Sequence, residues 1–387
     1  MNKRRLIFLF ILFLILIQMS TISATNIRSL PKIRKEHNQE LSSTLLFPQS
    51  RAIKEMPLLN LLFPKKTLTI DPSSSYFSPE NLSNSDDAYH NSNLSYATEW
   101  WYFDAILNEQ YTFQFSIHIY EILSAGFAST QCNIYEKGKT ILSESSIHQL
   151  STIQLSMNKP FISINDQIVM QTFSSQIDDS ITYQLSFTEG NYSFNLLFQG
   201  TTQGWKGTTP AGDWAVVLPK APVSGTLTIQ NDTITVTGIG YHDHNWNVSI
   251  SAGFNFGWLW GKTVLDKYSL TWASIFKTWY IQSPLLVINE DDNGFINIPI
   301  DNIDLSITKI EFKNGMLLPY GFRLSAQTNE YTLTLFIDII NSDYVTVLGL
   351  INYWRYHIHT RGTLKINDHT HTIDDYNIAE FMRFRPY

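Results

Sequence analysis

The chain has 387 residues, which favours two domains, because a single hydrophobic core stops growing at roughly 250 to 300 residues. Aromatic residues make up 14% of the sequence and charged residues 16%, a balance that favours strands over solvated helices. The formal net charge of -7 argues against nucleic acid as a partner, because phosphate binding depends on clustered Lys and Arg.

The N-terminal segment has the layout of a secretory signal. Residues 1–5 are basic, residues 6–19 form an apolar run, and Ser23 and Ala24 are a small-residue pair. This run is shorter than the roughly 20 residues of a spanning helix, but Ile22 is a poor residue three positions before a cut. We predict a signal peptide or N-terminal anchor over residues 1–24. The expected location is secreted or extracytoplasmic, with membrane association through an uncleaved segment as the alternative.

The next segments have the composition of connections. Residues 25–70 are polar and basic apart from one apolar patch, which predicts a spacer. Residues 71–95 are rich in Ser and Asn, so we expect a loop that packs on the domain after it. Cys132 is the only cysteine, which excludes an intrachain disulfide and a cysteine-based metal cluster.

From Trp100 onward the sequence alternates apolar and polar residues, most clearly at residues 111–119 and 331–339. Such alternation is typical of half-buried antiparallel strands, because successive side chains point to opposite faces of a sheet. Two sets of about eight to ten strands fit two barrels, which leave no exposed edges and can enclose an apolar ligand. We predict an all-β protein with antiparallel barrels over residues 71–237 and 238–387. The Gly- and Pro-rich residues 200–222 are expected to be a long loop.

Glu99 is followed by four consecutive aromatic residues, Trp100, Trp101, Tyr102 and Phe103. Because alternate residues of a strand face opposite sides, one pair belongs to a core and the other lines a ligand cavity or an interface. The sequence fits either pair equally, and core packing of all four is the competing interpretation. Glu99 is either a buried acid or part of a rim salt bridge.

A second dense stretch contains Tyr241, His242, Asp243, His244, Asn245 and Trp246. If it is extended, the odd-numbered residues face one side and the even-numbered residues the other. The two imidazoles could hold a metal, but a catalytic zinc needs three protein ligands and the spacing fixes no third. Polar residues at a barrel rim are the favoured interpretation, and we predict no metal and no cofactor.

Asp243 is the candidate acid. A carboxyl group beside an apolar barrel mouth has a raised pKa, because desolvation destabilises its ionised form, and it can then protonate a weak base such as an alkene. Tyr241 shares its face and can orient it. The competing interpretation, which spacing alone favours, is that Asp243 accepts backbone N–H bonds in a tight turn after Gly238 and Gly240.

Taken together, residues 98–103, 240–246, 353–356 and 379–384 resemble the superfamily of carotenoid 1,2-hydratases. This superfamily also takes in secreted lipocalin-like "predicted hydrolases", kievitone hydratase and fungal Diels–Alderase-like pericyclases. The resemblance covers about residues 71–387. It implies two lipocalin-like barrels with a pocket at or near their junction, and hydrophobic polyene, isoprenoid or polyketide substrates.

In the hydratase branch of that superfamily, a Tyr and an Asp two residues apart are implicated in alkene protonation, and they look like Tyr241 and Asp243 here. That branch also has a His-x-Trp pattern upstream. Trp214 takes the Trp position, and Gly212 stands where the His would be. The pericyclase branch works mainly by shaping a cavity around one reactive conformer.

We therefore predict a protein that binds a hydrophobic small molecule, namely an isoprenoid, polyene or lipid, in a Trp-rich pocket near the barrel junction. Hydration, isomerisation or cyclisation by acid catalysis is one hypothesis, and a lipid-binding or carrier protein without catalysis is the other. The predicted catalytic residues are Asp243, Tyr241, His242 and Glu99. The predicted ligand-binding residues are Trp100, Tyr102, Trp214, His244, Asn245 and Trp246.

Overall fold

The computed structural model describes residues 69–70, 77–92, 94, 96–122, 125–173, 181–230, 232–248, 255–278, 281–347 and 351–384. The predicted signal or anchor segment and nearly all of the predicted spacer lie outside these ranges. The described residues form strands and short 3-10 turns without an α-helix. None of their helical segments is long and apolar enough to span a membrane.

The first sheet contains 13 strands of the described chain. They are β2 (Glu80–Asn81), β3 (Tyr96–Leu107), β4 (Tyr111–Ile122), β5 (Ala125–Glu136), β6 (Lys139–Gln149), β7 (Ile153–Leu155), β8 (Phe161–Ile164), β9 (Gln167–Thr172), β10 (Thr182–Glu189), β11 (Tyr192–Gln199), β12 (Trp205–Thr209), β13 (Gly212–Ile229) and β14 (Asp232–Val248). Their main order is β6-β5-β4-β3-β14-β13-β11-β10-β9-β8-β7. The strands β3 and β14, which carry both dense stretches of the sequence, are therefore neighbours within this sheet.

The second sheet contains 10 described strands. They are β1 (Thr69–Ile70), β15 (Gly257–Leu265), β16 (Tyr268–Phe276), β17 (Ile281–Glu290), β18 (Gly294–Asn297), β19 (Ile303–Lys313), β20 (Met316–Gln327), β21 (Tyr331–Val347), β22 (Ile351–Ile366) and β23 (His369–Arg383). Their main order is β1-β17-β16-β15-β23-β22-β21-β20-β19, and the pairing is antiparallel except between β1 and β17. The 3-10 turns are Asn84–Asp86, Leu150–Thr152 and Ile300–Asn302.

Both sheets curl around hydrophobic cores. In the first, the Phe115 ring of β4 lies 4.8 Å from the Phe194 ring of β11, although these strands are not neighbours in the sheet. In the second, the Gln282 side-chain amide on β17 donates from Nε2 to the Leu305 carbonyl on β19, 3.1 Å away, although these strands are not neighbours in the sheet. The sheets thus form a barrel and a half-barrel. The predicted all-β fold of tandem, antiparallel, lipocalin-like barrels is confirmed.

The Gly- and Pro-rich stretch predicted to be a long loop is mostly strand, since β12 and β13 run through it. The pairing of β13 with β14 shifts register between Val216 and Leu218 and again between Leu218 and Ala221. Bulges of this kind accommodate Pro219, which has no N–H group for the ladder. The prediction of a loop was wrong because a strand with bulges can be as rich in Gly and Pro as a loop is, and composition alone does not separate the two.

The passage from the first sheet to the second comes after Val248. β14 pairs over its length with β13 and β3, so the predicted boundary between residues 237 and 238 falls inside a strand of the first sheet. A third hydrophobic cluster joins the two sheets, with Trp205, Trp214 and Tyr241 on one side and Trp260 and Val287 on the other. The two sheets therefore share a hydrophobic contact, and the site described below lies in it.

Truncating a core aromatic residue should destabilise the first sheet. Phe115→Ala is expected to lower the free energy of unfolding by about 3–5 kcal/mol, because Phe115 is fully buried and the cavity left behind cannot collapse completely. Phe173 is 64% exposed, so Phe173→Ala should change the free energy of unfolding by less than about 0.5 kcal/mol. Guanidinium unfolding followed by circular dichroism measures both, and equal losses would contradict the assignment of the core.

Candidate functional site

A cavity opens between the two sheets at the third hydrophobic cluster. Its volume is about 90 Å³, or about 660 Å³ when the open space at its mouth is included, and its lining is mainly apolar. The first sheet contributes Trp100, Tyr102, Thr209, Ala211, Gly212, Trp214, Asp243, Asn245 and Val248, and the second contributes Trp258, Leu259, Trp260, Ala273, Ile275, Leu285 and Glu380. Four tryptophans and two carboxyl groups thus meet in one cleft.

Strand register brings the first-sheet residues together. β14 is extended through residues 241–246, and its Asp243 lies opposite Tyr102 of β3 while its Asn245 lies opposite Trp100. On the other side of β14, Asn245 pairs with Trp214 of β13. Residues that are directly opposite in a ladder point to the same face, so all five side chains face the second sheet. The pair Trp100 and Tyr102 therefore lines the cavity.

Asp243 accepts hydrogen bonds from three side chains. Its Oδ2 accepts from the Tyr241 hydroxyl at 2.8 Å and from Trp214 Nε1 at 3.1 Å, and its Oδ1 accepts from Asn245 Nδ2 at 3.2 Å. Two donors fill the acceptor sites of Oδ2, so the proton of a neutral Asp243 belongs on Oδ1. Asp243 lies within a continuous strand, and the tight-turn interpretation of this residue is therefore wrong.

Burial raises the pKa of Asp243 well above the ordinary value of an aspartic acid. The hydrogen bonds from Tyr241 and Trp214 act in the opposite direction without overcoming it, and the negative charges of Glu380 and Asp104 raise the pKa further. The donors that contact Asp243 are uncharged, so they provide little compensation for the lost hydration of a carboxylate. The structure therefore favours a neutral carboxylic acid at the wall of the cavity.

Charged residues from the second sheet surround the cavity on its other side. Arg355 is buried, donates from Nη1 to the Tyr102 hydroxyl at 2.8 Å and lies 3.0 Å from Glu380 Oε1. The Tyr353 hydroxyl donates to the same carboxylate at 2.6 Å. Deeper in the interface, Lys262 forms a buried ion pair with Asp104 of β3. These contacts tie the lining residues of one sheet to those of the other.

The sequence patterns did not single out Arg355, Glu380, Lys262 or Asp104 as site residues. Arg355 and Glu380 are cross-strand partners in β22 and β23, within stretches that otherwise alternate as ordinary strands. A charged residue at a position that the alternation assigns to the buried face is the one signal that marks them. That signal identifies a buried charge but not its partner, which comes from a distant part of the chain.

Four of the predicted site residues lie on the opposite face of the first sheet, and this corrects their assignment to the pocket. They are Glu99, His242, His244 and Trp246, and they point into the first barrel. There the His242 ring stacks on Phe103 at 3.8 Å, and the His244 ring stacks on Trp101 at 4.4 Å. The reason is the two-residue period of the strands, which separates each of these residues from its neighbours in the pocket.

Gly212 lines the cavity with a φ of 145°, a conformation that L side chains rarely adopt. A Cβ atom there would lie 2.8 Å from the Val248 side chain and 2.9 Å from the Trp246 carbonyl. The residue that stands where the hydratase branch has a His therefore could not be replaced by His without movement of the backbone. Any proton transfer in this cavity depends on other groups.

Comparisons with known proteins agree with this architecture. No family model matches the chain, and no curated protein matches it. The crystal structure of an AttH protein from Nitrosomonas europaea aligns with a TM-score of 0.54 and 13% identity, covering 82% of this chain and 99% of that one. The structure of CghA with Sch210972 aligns with a TM-score of 0.51 and 10% identity, covering 81% and 99%.

The chain has the fold of these proteins. Kievitone hydratase from Nectria haematococca aligns less closely, with a TM-score of 0.49 and 10% identity, over 84% of this chain and 99% of that one. At such identities the likeness establishes the fold and leaves the chemistry to the residues of the site. The likeness to the AttH and CghA structures thus agrees with the predicted fold of two lipocalin-like barrels.

The ionisation of Asp243 should be visible in the pH dependence of stability. The folded chain holds a proton on Asp243 at pH values where the unfolded chain has lost it, because the pKa is raised on folding. The free energy of unfolding should therefore fall as pH rises from the ordinary Asp range towards the raised pKa, by up to about 1.4 kcal/mol per pH unit. Asp243→Asn, which has the shape of the neutral acid, should lack this contribution.

Denaturant unfolding over a range of pH measures the difference between wild type and Asp243→Asn, which should grow in favour of the variant as pH rises. Asp338 is a matched control, because its side chain is 50% exposed in a surface ion pair with Arg361. Asp338→Asn should lack the steady divergence from wild type over the same range. Parallel curves for wild type and Asp243→Asn would contradict a raised pKa.

Proposed function

We propose that the protein is an acid catalyst that protonates a carbon–carbon double bond of a hydrophobic small molecule, such as a polyene or isoprenoid, bound between the two barrels. One observation carries this proposal: a buried carboxyl group, with its neutral form favoured and its Oδ1 left to hold the proton, lines a cavity walled by tryptophans. An alkene is a weak base, so its protonation requires an undissociated acid held against it in a dry site.

The reaction would begin with transfer of the proton from Asp243 Oδ1 to one alkene carbon. This step converts the double bond into a carbocation and leaves Asp243 as a carboxylate. In a hydration, the oxygen of water bonds to the cationic carbon and its proton returns to Asp243, so that one water is added and the acid is restored. In an isomerisation, Asp243 instead removes a proton from the neighbouring carbon, and in a cyclisation a second double bond of the substrate attacks the cation first.

The cavity wall suits a cationic intermediate. Tryptophan rings attract cations to their faces, and Trp100, Trp214, Trp258 and Trp260 all line the cavity. The carboxylate of Glu380 adds negative charge on the side of the second sheet, where Arg355 and Tyr353 hold it in place. Tyr241 is a positioning residue in this proposal, because its hydroxyl fixes Oδ2 of Asp243 and leaves Oδ1 towards the substrate.

Export forms part of the proposal, on the strength of the basic and apolar pattern of residues 1–24. The substrate would then be an apolar molecule met outside the cytoplasm. A carrier protein of the same fold would need the apolar cavity but not the acid, so the two functions differ in their dependence on Asp243.

Asp243→Asn should abolish turnover while preserving binding, since the amide has the size of the neutral acid but cannot donate an acidic proton to carbon. Wild-type protein incubated in D2O with an apolar extract of its own host should place deuterium on a carbon of one component, whether the reaction is hydration, isomerisation or cyclisation. Mass spectrometry measures this label, and quenching of tryptophan fluorescence measures binding of the same component. Asp338→Asn serves as the control and should retain full labelling.

A wild-type protein that retains an apolar compound without labelling it would contradict catalysis and support a carrier. Equal labelling by wild type and Asp243→Asn would contradict the role of Asp243.

Tyr241→Phe should lower the rate and move its pH dependence. The hydroxyl of Tyr241 lowers the pKa of Asp243 by hydrogen bonding to it, so its removal should raise that pKa further. Because the protonated acid is the active form, the fall in rate as pH rises should shift to higher pH in the variant. Tyr192→Phe is the control, since the Tyr192 hydroxyl contacts Glu189, outside the cavity. A shift to lower pH would contradict the proposed arrangement.

A further inference from the structure

A second cluster of ionisable groups lies on the other face of the β3–β14 pair, inside the first barrel. It consists of His244 on β14, Glu99 on β3 and His90 on the segment that precedes β3. Glu99 Oε1 lies 3.0 Å from His244 Nε2 and 3.1 Å from His90 Nδ1, and the three ligand atoms all lie within 4.8 Å of one another. The proposed catalytic cavity uses none of these residues.

The contacts of the His244 ring require either a second proton on the ring or a cation beside it. Its Nδ1 lies 3.0 Å from the backbone carbonyl of Asp86, which can only accept, so Nδ1 carries the hydrogen. In a neutral imidazole the other nitrogen then presents a lone pair, and here Nε2 faces a carboxylate oxygen of Glu99. Two acceptors at this distance repel each other unless a second proton or a metal ion lies between them.

Two buried carboxyl groups face the cluster. Glu99 is one of them, and its Oε1 also accepts the backbone N–H of His90 at 2.9 Å. The fully buried Asp87 lies beside the cluster, with Oδ1 3.5 Å from His244 Nδ1 and without a hydrogen-bond partner among the described residues. The Lys206 ammonium group forms an ion pair with Asp86 at 2.9 Å.

We propose that His90, Glu99 and His244 bind one divalent transition-metal ion, for which zinc is the best match. Two imidazole nitrogens and one carboxylate oxygen form a common ligand set of zinc, with a fourth position left for water. Bond lengths of about 2.0–2.2 Å place tetrahedral ligands roughly 3.3 Å apart, so the contacts from Glu99 need to open by only a few tenths of an ångström.

The surroundings of the cluster are those of a preformed ligand site. The hydrogen bond from His244 Nδ1 to a backbone carbonyl orients the ring and directs Nε2 at the ion, as is usual for metal-bound histidines. The His90 ring stacks on Trp246 at 4.1 Å with an interplanar angle of 1°, which holds its orientation. The His90 side chain is 21% exposed, so an ion has a route into the site from solvent. A bound ion would fasten the segment carrying His90 to β3 and β14.

Titration of the full-length protein, after treatment with EDTA and dialysis, with ZnSO4 in a calorimeter tests the site. One zinc should bind per chain and raise the melting temperature, because a ligand that binds only the folded state stabilises it. Cobalt(II) in place of zinc should give visible absorption bands that zinc then displaces. His90→Ala and Glu99→Gln should each weaken binding by at least about 10-fold.

The matched control is the double variant His369→Ala/His371→Ala, which removes another pair of histidines two residues apart, on β23. It should bind zinc as wild type does, as should Asp243→Asn, since Asp243 lies on the other face of the sheet. His90→Ala changes a partly exposed side chain, so circular dichroism can verify its fold where Glu99→Gln proves unstable. If the wild-type protein does not bind zinc and its melting temperature is unchanged, the metal site is contradicted. A second proton on His244 would then explain its contact with Glu99. If only the His369/His371 variant loses zinc binding, the zinc binds adventitiously to these histidines and the proposed site is contradicted.

Discussion

The antiparallel pairing of β3 with β14 is the constraint on which the rest of the structure depends. This register sets Tyr102 against Asp243 and Trp101 against His244, so each pair of facing residues shares one side of the sheet. Because the side-chain period of a strand is two, the two strands present different chemistry on their two faces. One face carries an acid and aromatic rings into the contact with the second sheet, and the other carries imidazoles and a carboxylate into the first barrel. A slip of one residue would exchange the two sets.

Two buried carboxyl groups on this strand pair have pKa values shifted in opposite directions. The pKa of Asp243 is raised, because burial removes water and the donors around it are neutral. The pKa of Glu99 is lowered, although Glu99 is also buried, because His244 and His90 contact it directly. For Asp243 and Glu99, the partners rather than the depth of burial therefore decide the direction of the pKa shift. Of these two groups, only Asp243 lines the cavity between the two sheets.

The second sheet completes the site without supplying its acid. Trp258 and Trp260 of β15 lie across the cavity from Trp100 and Trp214, and Arg355 reaches over the junction to the Tyr102 hydroxyl. The buried ion pair of Lys262 with Asp104 joins the two sheets and restricts their relative position, because separating its partners would leave charges without water or counter-ions. Reaction geometry in a cleft between two barrels depends on a restriction of this kind, since each barrel holds only half of the lining.

Much of this fold could be predicted from the sequence, because the alternation of apolar and polar residues is a local property. It gave the all-β class, most of the strands, and the separation of Asp243 from its neighbours His242 and His244 on two faces. The length of β13 and β14 was not predictable in the same way. The Gly and Pro residues of β13 have the composition of a loop, and the bulges that make them compatible with a strand depend on pairing with a partner.

The sequence by itself determined that alternate aromatic residues after Glu99 point to opposite sides of a strand, but it could not decide which pair faced a cavity. Tertiary structure decided that Trp100 and Tyr102 line the cavity, because only the docking of the second sheet distinguishes one face of the first from the other. It also decided the role of Glu99. The sequence separates this residue by nine positions from His90 and by far more from His244, and a contact between such distant groups follows from the curl and register of the sheet.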